Sequence, residues 1–256
     1  MKKIAVITGA SSGMGREFAR TVRRGGSFDE IWLIARRKER LEEIKKEIPF
    51  PVKILPFDLT DRANLKEIEE LLKKENPQVA LLINCSGFGK FAATCDTPLD
   101  VNLNMVDLNC GALMAMCQLS APYMSGGAHI INIASVASVQ PIPYINVYGA
   151  SKAFVLSYSR ALNRELKKQK ITVTAVLPFW TKTEFFDRAV SEKERIVKKY
   201  VAMYQPEQIV SRAWKDALKG RDTSKFGFIA RSQMLLAKIL PHSFVMSYWM
   251  KQQKLK

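Results

Sequence analysis

Short apolar runs recur along the chain, each followed by a longer stretch in which apolar and polar positions alternate with a helical period. Residues 4–7 read as a strand and 13–23 as a helix. Residues 31–34 read as a second strand, and 37–47 as a helix with Leu41, Ile44 and Ile48 on one face. A strand over 52–56, a helix over 64–74 bearing Leu65, Ile68 and Leu72, and a strand over 79–83 follow. A long helix over 100–122, stopped near Pro122, a strand over 128–133, a helix over 146–168 and a strand over 171–177 complete the series. Strands apolar throughout are buried on both faces, as in a parallel sheet covered by helices. Repeated strand–helix–strand units therefore predict an α/β fold: a doubly wound parallel sheet with helices on both faces, of Rossmann type.

Beyond Leu177 the pattern changes. Residues 179–205 mix aromatic and charged residues without a strand and read as a substrate lid. A helix over 206–219 opens with Pro206 at a first-turn position. Residues 226–229 read as a last strand, and 231–256 as an apolar and basic helical tail broken by Pro241. No linker, repeat or low-complexity segment divides the chain, so one domain over 1–256 is expected.

Composition narrows the function classes. With 47% hydrophobic and 25% charged residues, the 256-residue chain can build a globular core. Cys85, Cys95, Cys110 and Cys117 have no C-x-x-C spacing and read as reduced thiols of a cytoplasmic protein. The apolar run after Met1-Lys2-Lys3 is too short for a secretory signal, and no membrane-spanning stretch is present. The net charge of +16 is dispersed over polar helix faces and accompanies no nucleic-acid motif, so nucleic acid is not expected as a partner. His129 and His242 lack metal-ligand spacing with the cysteines, and no metal is assigned.

Two constellations carry chemistry. Thr8-Gly9-Ala10-Ser11-Ser12-Gly13-Met14-Gly15 follows the first strand and opens a helix. Glycines there let the backbone approach a pyrophosphate, and the helix start points N–H groups at it. NAD-binding sheets carry an acid about 20 residues further on, at the end of strand two. Here that place holds Ala35, followed by Arg36 and Arg37, whose guanidinium groups suit a 2′-phosphate. The predicted cofactor is NADP(H), with Arg36 first and Arg37 in support. The second constellation is Tyr148-Gly-Ala-Ser-Lys152: four residues apart on a helix, the ammonium faces the phenol and is expected to lower its pKa. Ser135 closes the fifth strand and is placed to hydrogen-bond the same carbonyl oxygen.

These residues resemble the short-chain dehydrogenase/reductase family, over about 3–185. The shared features are T-G-x-x-x-G-x-G at 8–15, Asp58 in F-D-L-T, Asn84-Cys85-Ser86-Gly87, Asn109, Ser135, Tyr148 and Lys152. The resemblance implies that Tyr148 exchanges a proton with the carbonyl oxygen, that Ser135 polarises it, and that Lys152 holds the nicotinamide ribose. It implies that Asn109 anchors a water in a proton relay, and that Asp58 and its neighbour Leu59 meet the adenine. Asn84 and Gly87 are expected to shape the sheet edge under the cofactor. Thr183 resembles the residue that binds the carboxamide, with Thr181 a second candidate. Two departures stand out: Cys85 replaces an asparagine, and Phe179 replaces the glycine after Pro178.

The expected substrate is a carbonyl or alcohol on a bulky apolar molecule, a hydroxysteroid first, with a 3-oxoacyl or general carbonyl reductase as alternatives. Phe179, Trp180, Phe185, Phe186, Tyr200, Met203 and Tyr204 are candidates for the pocket wall. A non-enzymatic NADP(H) sensor is the rival from another class, disfavoured by the intact Ser135, Tyr148, Lys152 and Asn109. The tail leaves three roles open: peripheral membrane contact, a cover for the pocket, or a subunit interface. A homodimer or homotetramer is expected from the resemblance.

Overall fold

The computed structural model describes residues 1–190 and 196–255. Seven parallel strands form one sheet: β1 (Lys3–Thr8), β2 (Glu30–Ile34), β3 (Val52–Leu55), β4 (Gln78–Asn84), β5 (His129–Ile133), β6 (Thr172–Leu177) and β7 (Thr223–Lys225). Their order is β3-β2-β1-β4-β5-β6-β7. The chain leaves β1 toward one edge through β2 and β3, then crosses back to β4 on the other side of β1. A crevice opens where the winding reverses, beyond the carboxyl ends of β1 and β4.

The all-apolar strands explain the two-sided core. Val6, Trp32, Leu82 and Ile130 face one helical layer. It is built from α3 (Arg62–Glu75), α5 (Leu113–Ser120), α6 (Asn146–Glu165) and α9 (Phe228–Ile239). Ala5, Ile7, Leu33 and Ile83 face the other, built from α1 (Gly13–Arg20), α2 (Lys38–Lys45) and α8 (Pro206–Ala217). Trp214 of α8 packs edge-on against Phe18 of α1 at 5.4 Å and donates its indole N–H to Thr21.

Helix ends follow their local chemistry. Asp61 accepts from the Ala63 amide and opens α3, and Asn76 closes it in the left-handed conformation. Pro206 starts α8 as expected, inside a capping box made by Gln205 and Gln208.

Two details differ from the sequence expectations. The long helix over 100–122 is divided: α4 (Leu99–Val106) joins α5 through a π turn over Asp107–Ala112. Such turns widen the helix locally and recur at functional positions; this one carries Asn109. The last strand lies at 223–225, not 226–229. Its Ser224 is held by Asp216 at 2.9 Å, while Gly227 takes a positive φ and Phe228 begins α9. The tail, expected to break at Pro241, does so: α9 ends before it and α10 (His242–Gln253) begins after it. The lid expected over 179–205 contains a short helix α7 (Phe185–Ala189); its residues 191–195, and the terminal lysine at 256, lie outside the described residues. Among the described residues, no helix is long and apolar enough to cross a membrane.

Candidate active site

The glycine loop joins β1 to α1 and packs backbone against backbone. Gly9 has φ +64°, and a Cβ there would lie 2.7 Å from the backbone of Cys85 and Ser86. A Cβ on Gly15 would lie 2.1 Å from the Gly9 carbonyl oxygen. Neither position tolerates a side chain. The loop borders a long open cleft lined by Ser11, Ser12, Gly13, Met14, Asp58 and Leu59, with Thr183 across from them. A backbone that close to the cleft wall, with the α1 amides behind it, fits a dinucleotide pyrophosphate. Asn84 does not reach this cleft. Its side chain is buried, donating to Asn132 at 2.9 Å and to the Cys117 sulfur at 3.3 Å. Asn132 donates in turn to Ser159, so Asn84 belongs to a polar cluster beneath the sheet edge.

The cleft also carries arginines beside the acids Asp58, Glu184 and Asp187. Arg36, Arg37, Arg40 and Arg188 all line it. Arg36 faces Asp58 at 3.6 Å. Burial alone would raise the Asp58 carboxyl, but hydrogen bonds from Thr60 and the Arg36 charge hold it below its usual range. Arg37 donates to Ser11 at 3.2 Å and to Glu184 at 3.1 Å, and Arg40 donates to both Glu184 oxygens at 2.5 and 2.7 Å. Sequence reasoning missed Arg40, Arg188 and Glu184, because charges on α2 and in the lid look like ordinary solvated positions until the fold brings them together.

At the carboxyl end of β5, Ser135 accepts from the Ala137 amide at 3.1 Å and hydrogen-bonds the Tyr148 hydroxyl. Tyr148 and Lys152 share one face of α6, with the Lys152 ammonium 5.8 Å from the phenol ring. The electrostatics differ from the expectation of a lowered phenol. Burial pushes Tyr148 up to about 12 against the Ser135 hydrogen bond, and burial brings Lys152 down to about 8. The Lys152 amine donates to the Ile133 carbonyl at 2.8 Å rather than to the phenol. Asn109, fully buried in the π turn, donates to the Phe88 carbonyl at 2.9 Å and to Ser151 at 3.0 Å, and accepts from the Phe88 amide at 3.0 Å. It ties β4's exit loop to α6.

A second cavity meets the cleft at Met14, Cys85, Gly87, Thr183 and Phe185, which line both. Tyr148, Ser135 and Lys152 line it, and Phe179, Trp180 and Phe186 form part of its wall. Phe91 packs within about 6 Å of Tyr148, Trp180 and Phe185, centring an aromatic cluster. Tyr200, Met203 and Tyr204 do not line the cavity: Tyr200 buttresses Trp180 at 5.2 Å, Tyr204 packs on Phe226, and Met203 is exposed. The Thr181 hydroxyl is engaged with the Phe179 carbonyl at 2.8 Å, whereas Thr183 stands at the junction of the two cavities. Gln140 also lines the inner cavity, with its buried amide oxygen unpartnered among the described residues. Gln233 of α9 and Trp249 and Gln252 of α10 complete the wall. Gln253, fully buried, accepts from the Lys198 and Lys199 amides at 2.8 and 2.9 Å and donates to the Lys199 carbonyl at 3.2 Å. The tail is thereby clamped to the lid, which sequence alone did not show. No group of acids, histidines and cysteines suited to a metal occurs among the described residues.

The short chain dehydrogenase family model matches residues 3–194. An uncharacterized oxidoreductase of Staphylococcus epidermidis is 29% identical over 217 residues, covering 81% of this chain and 94% of that protein. A short-chain dehydrogenase from Sphingobium yanoikuyae, solved in complex with NADPH, superimposes with a TM-score of 0.78 at 29% identity, over 96% of this chain and 95% of its own. The bulky-bulky ketone specific alcohol dehydrogenase from Comamonas testosteroni superimposes with a TM-score of 0.74 at 26% identity, over 93% and 92% of the two chains.

Proposed function

The chain belongs to the short-chain dehydrogenase family, and on that footing we propose that it is an NADPH-dependent reductase of ketones on bulky apolar molecules. The observation that carries this reading is the position of Tyr148: hydrogen-bonded to Ser135, it lines the aromatic cavity and packs 5.4 Å from Phe185, which lines both that cavity and the dinucleotide cleft. When bound, the dinucleotide supplies the hydride from its nicotinamide ring. The chain's own residues do the rest. Ser135 and Tyr148 hold the substrate oxygen by hydrogen bonds and stabilise the charge that develops on it. At neutral pH Tyr148, raised to about 12, keeps its proton and delivers it to that oxygen. Lys152, near 8, still carries a proton then and restores the charge balance at the phenol, while holding the ribose. Asn109 keeps the π turn open behind Lys152, where a water can link the amine to solvent. Thr183 receives the carboxamide; Thr181 is the weaker candidate, because its hydroxyl is already engaged.

NADPH is preferred over NADH in this reading. Arg36, Arg37 and Arg40 gather where an adenosine 2′-phosphate would lie, and the structural neighbour from Sphingobium is an NADPH complex. Arg36 has its charge facing Asp58 at 3.6 Å, a spacing loose enough for a phosphate to compete. The lid over 179–205 and the tail over 231–256 complete a single dehydrogenase domain around the substrate. The aromatic wall of Phe179, Trp180 and Phe186 favours bulky ketones, hydroxysteroid precursors among them, and the Comamonas neighbour is specific for bulky-bulky ketones. Gln140 provides one polar contact within that wall. The exposed Leu99, Leu103, Met114 and Phe154 supply apolar surface for the expected homo-oligomer.

The test is NADPH consumption with steroid, 3-oxoacyl and diaryl ketones beside small aliphatic ones, for the wild type and Tyr148→Phe. Turnover that favours the bulky ketones and falls by about three orders of magnitude or more in the variant is expected. A variant retaining most of the activity would remove Tyr148 from the chemistry.

A further inference from the structure

We propose that α9 and α10 form a docking surface for an anionic lipid bilayer, and that substrate reaches the inner cavity from that bilayer. The first observation is an apolar face that the fold leaves bare. In α9, Ala230, Met234 and Ala237 pack against the core, yet Phe228, Leu235, Leu236 and Ile239 are exposed, Phe228 at 84% and Ile239 at 70%. Their spacing places them on one stripe of the helix. Phe244 and Tyr248, four residues apart in α10, are also exposed and give that helix an apolar stripe of its own.

The second observation is the charge around this face. Residues 223–256 contain no Asp or Glu and carry Lys225, Arg231, Lys238, Lys251, Lys254 and Lys256. Arg231 and Lys238 of α9 and Lys251 and Lys254 at the end of α10 are exposed. Burial first, then Lys238 and, against Asp222, Arg160 and Arg231, hold Lys225 below its ordinary range. Two helices that expose apolar side chains and carry cations but no acids of their own are complementary to acyl chains under anionic headgroups. A second copy of the chain fits worse. A two-fold contact would set this surface against itself, bringing cations onto cations with no acid of these two helices to pair them.

The third observation joins the surface to the site. Gln233 on α9, and Trp249 and Gln252 on α10, line the inner cavity. Gln253, one residue further, clamps the lid at Lys198 and Lys199. One pair of helices thus forms a wall of the cavity and carries the bare apolar face. A lipophilic ketone dissolved in the bilayer would meet the cavity wall without crossing water. This second half of the proposal rests on the reading of the substrate as a bulky apolar ketone; the docking itself does not.

The experiment is co-flotation of the full chain with phosphatidylserine-containing vesicles and with pure phosphatidylcholine vesicles, at low and high salt. The wild type is expected to float with the anionic vesicles, and its partitioning to fall more than about tenfold on neutral vesicles or in high salt. Leu235→Glu with Ile239→Glu is expected to lose at least about tenfold of the partitioning while turning over a water-soluble ketone as the wild type does. Lys238→Glu with Lys251→Glu gives a second reading that leaves the apolar stripe intact. Wild-type protein that stays out of the anionic vesicle layer, or that binds neutral vesicles equally well, would overturn the proposal. So would a dimer in solution that dissociates in the Leu235→Glu, Ile239→Glu variant, since a second copy would then occupy the face. Flotation does not depend on turnover, so a chain that floats but reduces no ketone would sink the enzymatic reading and leave the docking intact.

Discussion

Replacing Lys152 with Met should remove one component of the pH-dependent stability of the chain. In the folded protein Lys152 is buried and titrates near about 8, while in the unfolded chain it titrates near ~10.4. Below about 8 both states hold the proton, and the folded state bears the cost of a buried ammonium. Between about 8 and ~10.4 the folded state has released a proton that the unfolded state keeps, so stability rises with pH in that window. From neutral pH to about 10 the gain amounts to roughly 2–3 kcal/mol, at about 1.4 kcal/mol per unit. Buried thiols act in the opposite sense. Burial raises Cys85 and Cys110, and brings Cys117 to about 12, so their folded forms hold protons that unfolded thiols lose above about 8.5. The wild-type profile alone therefore mixes both effects, and the difference between wild type and Lys152→Met isolates the lysine. Urea unfolding followed by circular dichroism, at several pH values between about 7 and 10, provides it. The difference is expected to move by those 2–3 kcal/mol in favour of the wild type as pH rises. Parallel profiles for the two proteins would refute the claim that burial neutralises Lys152 near the working pH.

Gly15→Ala should abolish NADPH binding measured by calorimetry, because the new Cβ would fall 2.1 Å from the Gly9 carbonyl oxygen; retained micromolar binding would show that the loop can relax. Arg36→Ala combined with Arg37→Ala should lower the preference for NADPH over NADH by roughly 10- to 100-fold, at about 1.5–3 kcal/mol for a charge-assisted hydrogen bond. An unchanged kcat/KM ratio for the two cofactors would place the 2′-phosphate elsewhere. Gln253→Ala strips the partners from two Lys198 and Lys199 amides, costing the lid about 1–3 kcal/mol. Limited proteolysis around 196–205 should accelerate and KM for the ketone should rise several-fold, and an unaltered cleavage rate would count against the clamp.

Much of the fold was legible because burial on both sides leaves a simple mark. Runs such as Ile4–Ile7 and Ile31–Ile34 are apolar at every position, and the structure places each as a strand inside the sheet. β7 escaped because it is an edge strand of Thr223, Ser224 and Lys225, stabilised by Asp216 and not by apolar burial. The apolar run beside it belongs to α9. The site was legible where chemistry depends on local spacing, as with Tyr148 and Lys152 on one turn of α6, or the glycines of the β1–α1 loop. It was not legible where partners come from distant segments. Glu184 meets Arg37 and Arg40 across more than 140 residues, and Gln253 meets Lys198 and Lys199 across about 55. The pKa of Tyr148 was misjudged for a related reason: the adjacent lysine is visible in the sequence, but the burial that outweighs it belongs to Ile145, Phe91 and the lid.

The central claim is that this site transfers hydride to a ketone held by Ser135 and Tyr148. NADPH carrying deuterium at C4 of the nicotinamide tests it most directly, with the alcohol formed from a bulky prochiral ketone analysed by mass spectrometry and chiral chromatography. One deuterium is expected on the carbinol carbon, in a single enantiomer, and Tyr148→Phe is expected to form almost none of it. Alcohol without deuterium, or labelled alcohol formed as fast by the variant as by the wild type, would contradict it.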